Sequence, residues 1–228
     1  MNAKQSAANK AVEYIRNGMT LGLGTGSTAY WAIEYIGAKV KDGLSVRAIA
    51  TSMQTETMAR DLGIPIVGFA DIERIDLTID GADEVDENLQ IIKGGGGALL
   101  REKIVASATE FYIIIVDDSK LVTTLGKFKL PVEVIPFGWE FTAAHLKEIG
   151  CVPSLRLDKE KAFKTDNGNY IVDCSFRSIP SPALLHKKIN DITGVVENGL
   201  FIDMADLVIA GNDSGIVRIL QRKSGNKQ

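Results

Sequence analysis

The sequence predicts an α/β protein: a Rossmann-like three-layer domain with a mostly parallel sheet, interrupted by a smaller inserted ferredoxin-like α+β domain. Three observations support this. Short apolar runs alternate with helical patterns through the first half, as in a parallel sheet covered by helices. Around Pro131 the order changes to βαββαβ. Beyond residue 203 buried-strand character returns, which places the larger domain at 1–129 and 203–228 and the smaller one at 130–202.

The elements follow in order. Helical patterns cover Ala3 to Arg16, Ala29 to Val40 and Met53 to Leu62, and strands are expected at Thr20 to Leu23, Ser45 to Ala50, Pro65 to Val67 and Leu77 to Asp80. Leu99 to Ala108 has good helix formers throughout, and Phe111 to Val116 is a strongly apolar strand. Units of this kind connect right-handed. In the smaller domain, Val132 to Ile135, Ser154 to Leu157, Tyr170 to Ser175 and Val195 to Phe201 read as strands, with a turn at Asp166-Asn167-Gly168. Phe141 to Ile149 and Pro182 to Ile192 read as its helices. Ala205 to Ala210 then has a buried-strand pattern, Gly215 to Leu220 a helix-like one, and Ser224 to Gln228 a tail that should fray.

With 228 residues and 45% hydrophobic content, the chain can bury a sizeable core. A net charge of −3 argues against general nucleic-acid binding, so an anionic substrate must be met by local cations such as Lys93 and Lys120. No run approaches a membrane span, and MNAKQSAANKAVEYI is an amphipathic helix candidate without a signal-peptide core, so a cytoplasmic protein is expected. Cys151 and Cys174 fit neither a redox nor a zinc spacing and read as buried reduced thiols. His145 and His186 lie in helical patterns away from the glycine clusters and read as structural, which leaves no Ser/His/Asp triad with a recognisable setting.

The chemistry is concentrated in Ile79 to Ile104, IDGADEVDENLQIIKGGGGALLREKI. Four adjacent glycines, Gly94 to Gly97, cost more chain entropy than any other tetrad, so the backbone there is expected to approach a ligand closely, with no packing reason for the composition. Asp80 and Asp83 flank a tight turn at the carboxyl end of a strand, where open α/β sheets bind ligands. Glu102 falls in the first turns of the following helix, near the end that favours anions. The competing reading is an acidic solvated loop. No frame starting at Asp80 or Asp83 supplies the ligands of a calcium loop.

A second glycine cluster, Gly22-Leu23-Gly24-Thr25-Gly26-Ser27-Thr28, runs from a strand into a helix, and its amides, hydroxyls and helix dipole suit a phosphate. It lacks the lysine of a Walker A loop. Gly24 to Ala29 fits G-x-G-x-x-A, but the next strand ends in Thr51-Ser52-Met53 where a dinucleotide site needs an acid. A small phosphorylated ligand is the better expectation.

These motifs, GLGTGST, TIDGADEVD, IKGGGGALLREKI, DDSK, KLPVEVIPF, TDNGNYIVD and GLF, resemble in order and spacing those of the A-type ribose-5-phosphate isomerase family, over Ala11 to Val217. The resemblance implies interconversion of D-ribose 5-phosphate and D-ribulose 5-phosphate in the non-oxidative pentose phosphate pathway, without metal or organic cofactor. It carries proton transfer onto Glu102, the paired acids onto Asp80 and Asp83, the glycine-loop lysine onto Lys93 and a later ligand-binding lysine onto Lys120. Substrate contacts are carried onto Thr25, Gly26, Ser27, Thr28, Gly81, Ala82, Gly94, Gly95 and Gly96. Lys4 stands near a further phosphate-binding lysine of the family, in surroundings too plain to fix the match. A homodimer or dimer of dimers is implied, with no nucleic acid or membrane partner. Two rivals stay open: a non-catalytic sugar-phosphate sensor, which would have no use for the aspartate, lysine and glutamate set, and a nicotinamide-dependent oxidoreductase.

Overall fold

A computed structural model describes residues 1–222, and the tail expected to fray, Ser224 to Gln228, lies outside the described residues. In chain order the elements are α1 (Ala3–Ala11), β1 (Thr20–Leu23), α2 (Ala29–Lys41), β2 (Arg47–Ala50), α3 (Met53–Asp61), β3 (Ile75–Gly81), β4 (Glu84–Val85) and β5 (Ile91–Ile92). There follow α4 (Leu99–Ser107), β6 (Thr109–Asp117), β7 (Leu130–Val134), α5 (Trp139–Glu148), β8 (Val152–Leu155), β9 (Leu157–Asp158) and β10 (Lys161–Ala162). The chain closes with β11 (Tyr170–Ser175), α6 (Pro182–Asn190), β12 (Val195–Asn198), β13 (Leu200–Phe201), β14 (Leu207–Gly211) and β15 (Val217–Gln221).

The main sheet has the order β15-β14-β6-β3-β1-β2, parallel except for β15. Its central strands are apolar on both faces because both are covered. Along β6, Ile113 and Ile115 join Leu21, Leu23, Ile33 and Ile36 under α1 and α2, while Tyr112, Ile114 and Val116 face the layer that holds Ala106 of α4 and Phe201. From β1 the chain moves outward to β2, and from β3 it moves the opposite way to β6, so a crevice opens between the carboxyl ends of β1 and β3, the switch point at which such sheets bind ligands.

A second sheet, order β12-β7-β11-β8, is antiparallel throughout and carries α5 and α6. This is the ferredoxin-like order, the first and third strands central and the fourth beside the first. Leu130, Val132 and Val134 face its helices, whereas Glu133, fully buried, lies opposite and accepts from Thr165, Asn167 and Asn169.

Several elements differ from expectation. Gly215 to Leu220 is not helical: Asn212 accepts from the amides of Ser214 and Ile216, a hairpin forms, and Val217–Gln221 becomes an antiparallel edge strand. Pro65 to Val67 makes only a single bridge, Ala48 to Ile66. The expected strand Val195 to Phe201 divides at Gly199, whose N–H donates to Pro131 and whose carbonyl accepts from Lys93 N–H, so that Leu200–Phe201 joins β4 and β5 in a separate small sheet. The first helix tightens to a 3₁₀ turn at Val12–Tyr14, short of Arg16.

Candidate active site

β3 continues through Asp80 and Gly81, which decides where the two aspartates go. Asp80 points back under the loop after β1, where its Oδ1 accepts from the amides of Thr25 (3.1 Å) and Gly81 (2.7 Å) and its Oδ2 from Tyr112 Oη (3.3 Å). Gly24 is required here, because a Cβ at that position would overlap the Asp80 carboxylate. Asp83, beyond the strand end, faces the crevice, and its Oδ2 accepts from Gly95 N–H at 2.8 Å.

Lys93 leaves β5 and runs inward to the same point. Its Nζ lies 3.0 Å from Asp80 Oδ2 and 3.2 Å from Glu102 Oε1, and it donates to Gly81 O at 2.5 Å. The three ionic side chains are buried, at 2% exposure for Lys93, 0% for Asp80 and 5% for Glu102. Two carboxylates and one ammonium in low dielectric leave an excess negative charge, which shifts protons. Burial above all pushes Glu102 up to about 8, with Lys93 opposing and Asp80 adding to the rise. Burial disfavours the Lys93 ammonium, but Asp80 and then Glu102 outweigh it and hold its pKa above the ordinary lysine value. The Tyr112 phenol is pushed well up by burial and by Asp80, so it remains a donor. Glu102 Oε1 is held by Lys93, while Oε2 is buried without a protein partner among the described residues.

The glycine run closes the same crevice, and part of it is a matter of packing, contrary to expectation. Gly94 and Gly97 adopt φ of +103° and +79°, and a Cβ on Gly97 would lie 2.5 Å from the Phe163 ring. At Gly95 it would meet the Asp83 carboxylate at 2.6 Å. Of the four, only Gly96 would accept a Cβ without a clash, with Thr25 Cγ2 at 3.8 Å its nearest neighbour.

Across the crevice lies the loop into α2. Gly26 (φ +109°), Ser27 and Thr28 line it, and the amides of Ser27 and Thr28 have no protein acceptor among the described residues. Lys4 of α1 donates to Ser27 Oγ at 2.8 Å, and Lys120 also lines the crevice, so two cations border it. The Thr25 hydroxyl turns away and shares hydrogen bonds with Thr51 (2.7 Å), Ser52 (2.8 Å) and Thr55 (3.1 Å), so that hydroxyls occupy the strand end where a dinucleotide site needs an acid.

Gly81, Ala82, Asp83, Lys93, Glu102 and the glycine loop thus share one wall with Lys120 at its edge, and Thr25 to Thr28 form the other. Asp80 is the one expected site residue that does not line the crevice; it lies beneath Lys93. Asp117, at the end of β6, lines the crevice and Tyr112 donates to Asp80, and sequence reasoning singled out neither as a site residue. The signal for Tyr112 was the strand pairing: it stands opposite Thr78, on the face that Asp80 shares two residues later.

The ribose 5-phosphate isomerase A (phosphoriboisomerase A) profile matches residues 47–215. The chain belongs to that family. It is 55% identical over 217 residues to the ribose-5-phosphate isomerase A of Bacillus anthracis, covering 95% of this chain and 99% of the relative. Among solved structures, the ribose 5-phosphate isomerase of Plasmodium falciparum superposes with a TM-score of 0.93 at 43% identity, covering 96% of this chain and 98% of the other. A D-ribose-5-phosphate isomerase in complex with phospho-erythronic acid gives 0.93 at 40% identity, covering 97% and 100%. Family and fold therefore agree along almost the whole chain.

Proposed function

We propose that this chain interconverts D-ribose 5-phosphate and D-ribulose 5-phosphate through an enediolate, as part of the non-oxidative pentose phosphate pathway. The observation that carries this reading is the Glu102 carboxyl: buried on the crevice wall, fixed through one oxygen by Lys93 and unpartnered at the other. A proton shuttle between adjacent carbons needs one carboxylate with a free lone pair and a pKa near the working pH.

The residues divide as follows. Glu102 Oε2 takes the C2 proton, the C–H electron pair forms the C1=C2 double bond, and the carbonyl pair moves onto O1. Lys93, charged and already in place, meets that developing charge at no reorganisation cost. Asp83 faces the crevice and relays the O2 hydroxyl proton to O1; Glu102 then returns its own proton to C1 as O2 becomes the ketone. Asp80, beneath the wall, orients Lys93 rather than touching substrate. The open amides of Ser27 and Thr28, with Lys4 and Lys120, hold the phosphate and keep the sugar in register. The step requires neither metal nor organic cofactor, because Lys93 supplies the electrophile. Ribulose 5-phosphate formation from ribose 5-phosphate in excess chelator tests this. Activity abolished by chelator and restored by a divalent ion would overturn it.

The same reading includes a cytoplasmic enzyme, in keeping with two buried free thiols at Cys151 and Cys174. It also treats 130–202 as a distinct domain that serves in assembly. Phe137, Phe141 and Val152 are 91%, 71% and 71% exposed around the start of α5 and β8, elements that pack together, and large exposed apolar side chains mark contact surfaces. A homodimer or pair of dimers is expected; light scattering at micromolar concentration that returned the mass of one chain would refute it.

A further inference from the structure

Arg156 follows β8 and lies outside the crevice, yet its guanidinium holds two successive carbonyls of the glycine loop. Its Nη1 donates to the carbonyls of both Gly94 (2.9 Å) and Gly95 (3.0 Å). The rest of the fork is taken by Asp173 of β11, with Nε to Oδ2 at 2.9 Å and Nη2 to Oδ1 at 2.5 Å. Backbone bonds fix its position further: Arg156 N–H donates to Ile171 O, and Arg156 O accepts from Phe163 N–H. The guanidinium carbon stands 5.8 Å from the centre of the Phe163 ring, the ring that packs on Gly97.

We propose that Arg156 is a positioning residue for the isomerisation: by gripping the outward carbonyls of Gly94 and Gly95 it aims the amides of Gly95 and Gly96 at Asp83 and at the crevice. The inference rests on the isomerase reading and deepens it. In a trans peptide the C=O of one residue and the N–H of the next point in opposite directions in one plane. Holding the Gly94 carbonyl outward therefore turns the Gly95 N–H inward, where it meets Asp83, and holding the Gly95 carbonyl does the same for Gly96 N–H. A run of four glycines has no side-chain preference of its own to keep these planes in one orientation; the turn bond from Gly97 N–H to Gly94 O (2.9 Å) helps to hold the first plane, and Arg156 bonds both. A charged donor on each carbonyl also polarises the amide and strengthens its N–H as a donor.

The ion pair itself does not explain the arrangement. Arg156 and Asp173 are 14% and 17% exposed, and a largely buried ion pair contributes little net stability, since desolvation offsets the attraction. What the pair provides is a fork held in one plane, which a lysine cannot reproduce.

The test compares Arg156→Ala, Arg156→Lys and Asp173→Asn with the parent. Arg156→Ala is expected to lower kcat by roughly tenfold to a hundredfold, short of outright loss of an oxyanion donor, with KM within about twofold. Free guanidinium at millimolar concentration should restore part of that kcat and leave the parent unchanged. Arg156→Lys should fail to rescue, and Asp173→Asn combined with Arg156→Ala should fall no further than Arg156→Ala alone, because the two act as one unit. Amide hydrogen exchange gives a readout that needs no turnover: exchange at Gly95 should speed up in Arg156→Ala. A kcat within twofold of the parent, or a raised KM at unchanged kcat, would overturn the proposal. If Arg156→Ala does not fold, Arg156→Lys and Asp173→Asn decide by the same criteria. A parent without isomerase activity would refute the isomerase reading, while Gly95 exchange would still report on the clamp, and an unchanged exchange rate would refute the clamp by itself.

Discussion

The floor and the rim of the crevice use the same kinds of side chain to different ends. At the floor, Asp80, Lys93 and Glu102 are all but inaccessible, and Lys93 ties both carboxylates together. At the rim, Lys4 and Lys120 stay in contact with water beside exposed Ser27. Charges in low dielectric interact several times more strongly than charges screened by solvent, and burial at the floor raises the Glu102 pKa far enough to make its carboxyl a usable base. The proposed chemistry thus falls to the floor and the proposed retention of the phosphate to the rim.

The sharpest way to break this division is Glu102→Gln, which keeps shape and removes basicity. Its kcat should fall by roughly 10² to 10⁴ with substrate binding little changed, and in the parent, solvent deuterium should enter the product at C1. A rate within a few-fold of the parent would mean that the base lies elsewhere. Next in size is Lys93→Ala, for which loss of a donor at the developing oxyanion should cost roughly 10² to 10³ in kcat. Its melting temperature should also drop, because Asp80 and Glu102 are left buried without their cation; an unchanged kcat would place Lys93 outside the chemical step.

The pH profile sharpens the same comparison. Glu102 must be ionised to accept a proton and is pushed up to about 8 mainly by burial, so kcat/KM should fall about tenfold per pH unit below that value. A profile flat from about pH 5 to 8 would show an ordinary, solvated carboxylate in the role. The smallest effects belong to the rim. Lys120→Ala and Ser27→Ala should raise KM several-fold at near-parental kcat, and added salt should shrink the Lys120 effect. A kcat loss as large as that of Lys93→Ala would erase the distinction between floor and rim.

The site was legible in sequence wherever its residue types had no other reason to be adjacent. Gly24 to Thr28, Lys93 and Glu102 stood out because glycines, hydroxyls and charges interrupt apolar strand ends, and the crevice brings Thr25 to Thr28, Lys93 and Glu102 together. The separation of Asp80 from Asp83 was hidden, since it depends on β3 running on through Gly81 and turning Asp80 inward. Tyr112 looked like one more aromatic in an apolar run until the register of β3 against β6 placed it beside Asp80. β15 was misread because Val217 and Leu220 sit at helical spacing, whereas in the strand they pack on opposite faces of the sheet, and the hairpin that makes them a strand is set by the Asn212 side chain. Arg156 had no local signal at all. Its partners are a loop and a strand distant in sequence, and only the fold brings them together.

Lys93 donates its backbone N–H to the carbonyl of Gly199, and Gly199 in turn donates to Pro131. The lysine sits in the first half of the chain and the glycine near its end, so the floor is held by a contact of high sequence separation. Such contacts close late, after the loop entropy of the intervening chain has been overcome. On the ribosome, the segments that contribute Asp80, Lys93 and Glu102 emerge well before the segment that fixes them. Catalytic competence should therefore be the final event of refolding, returning with the slowest structural phase in stopped-flow experiments. Turnover that preceded β12 and β13 protection in pulsed hydrogen exchange would contradict that order.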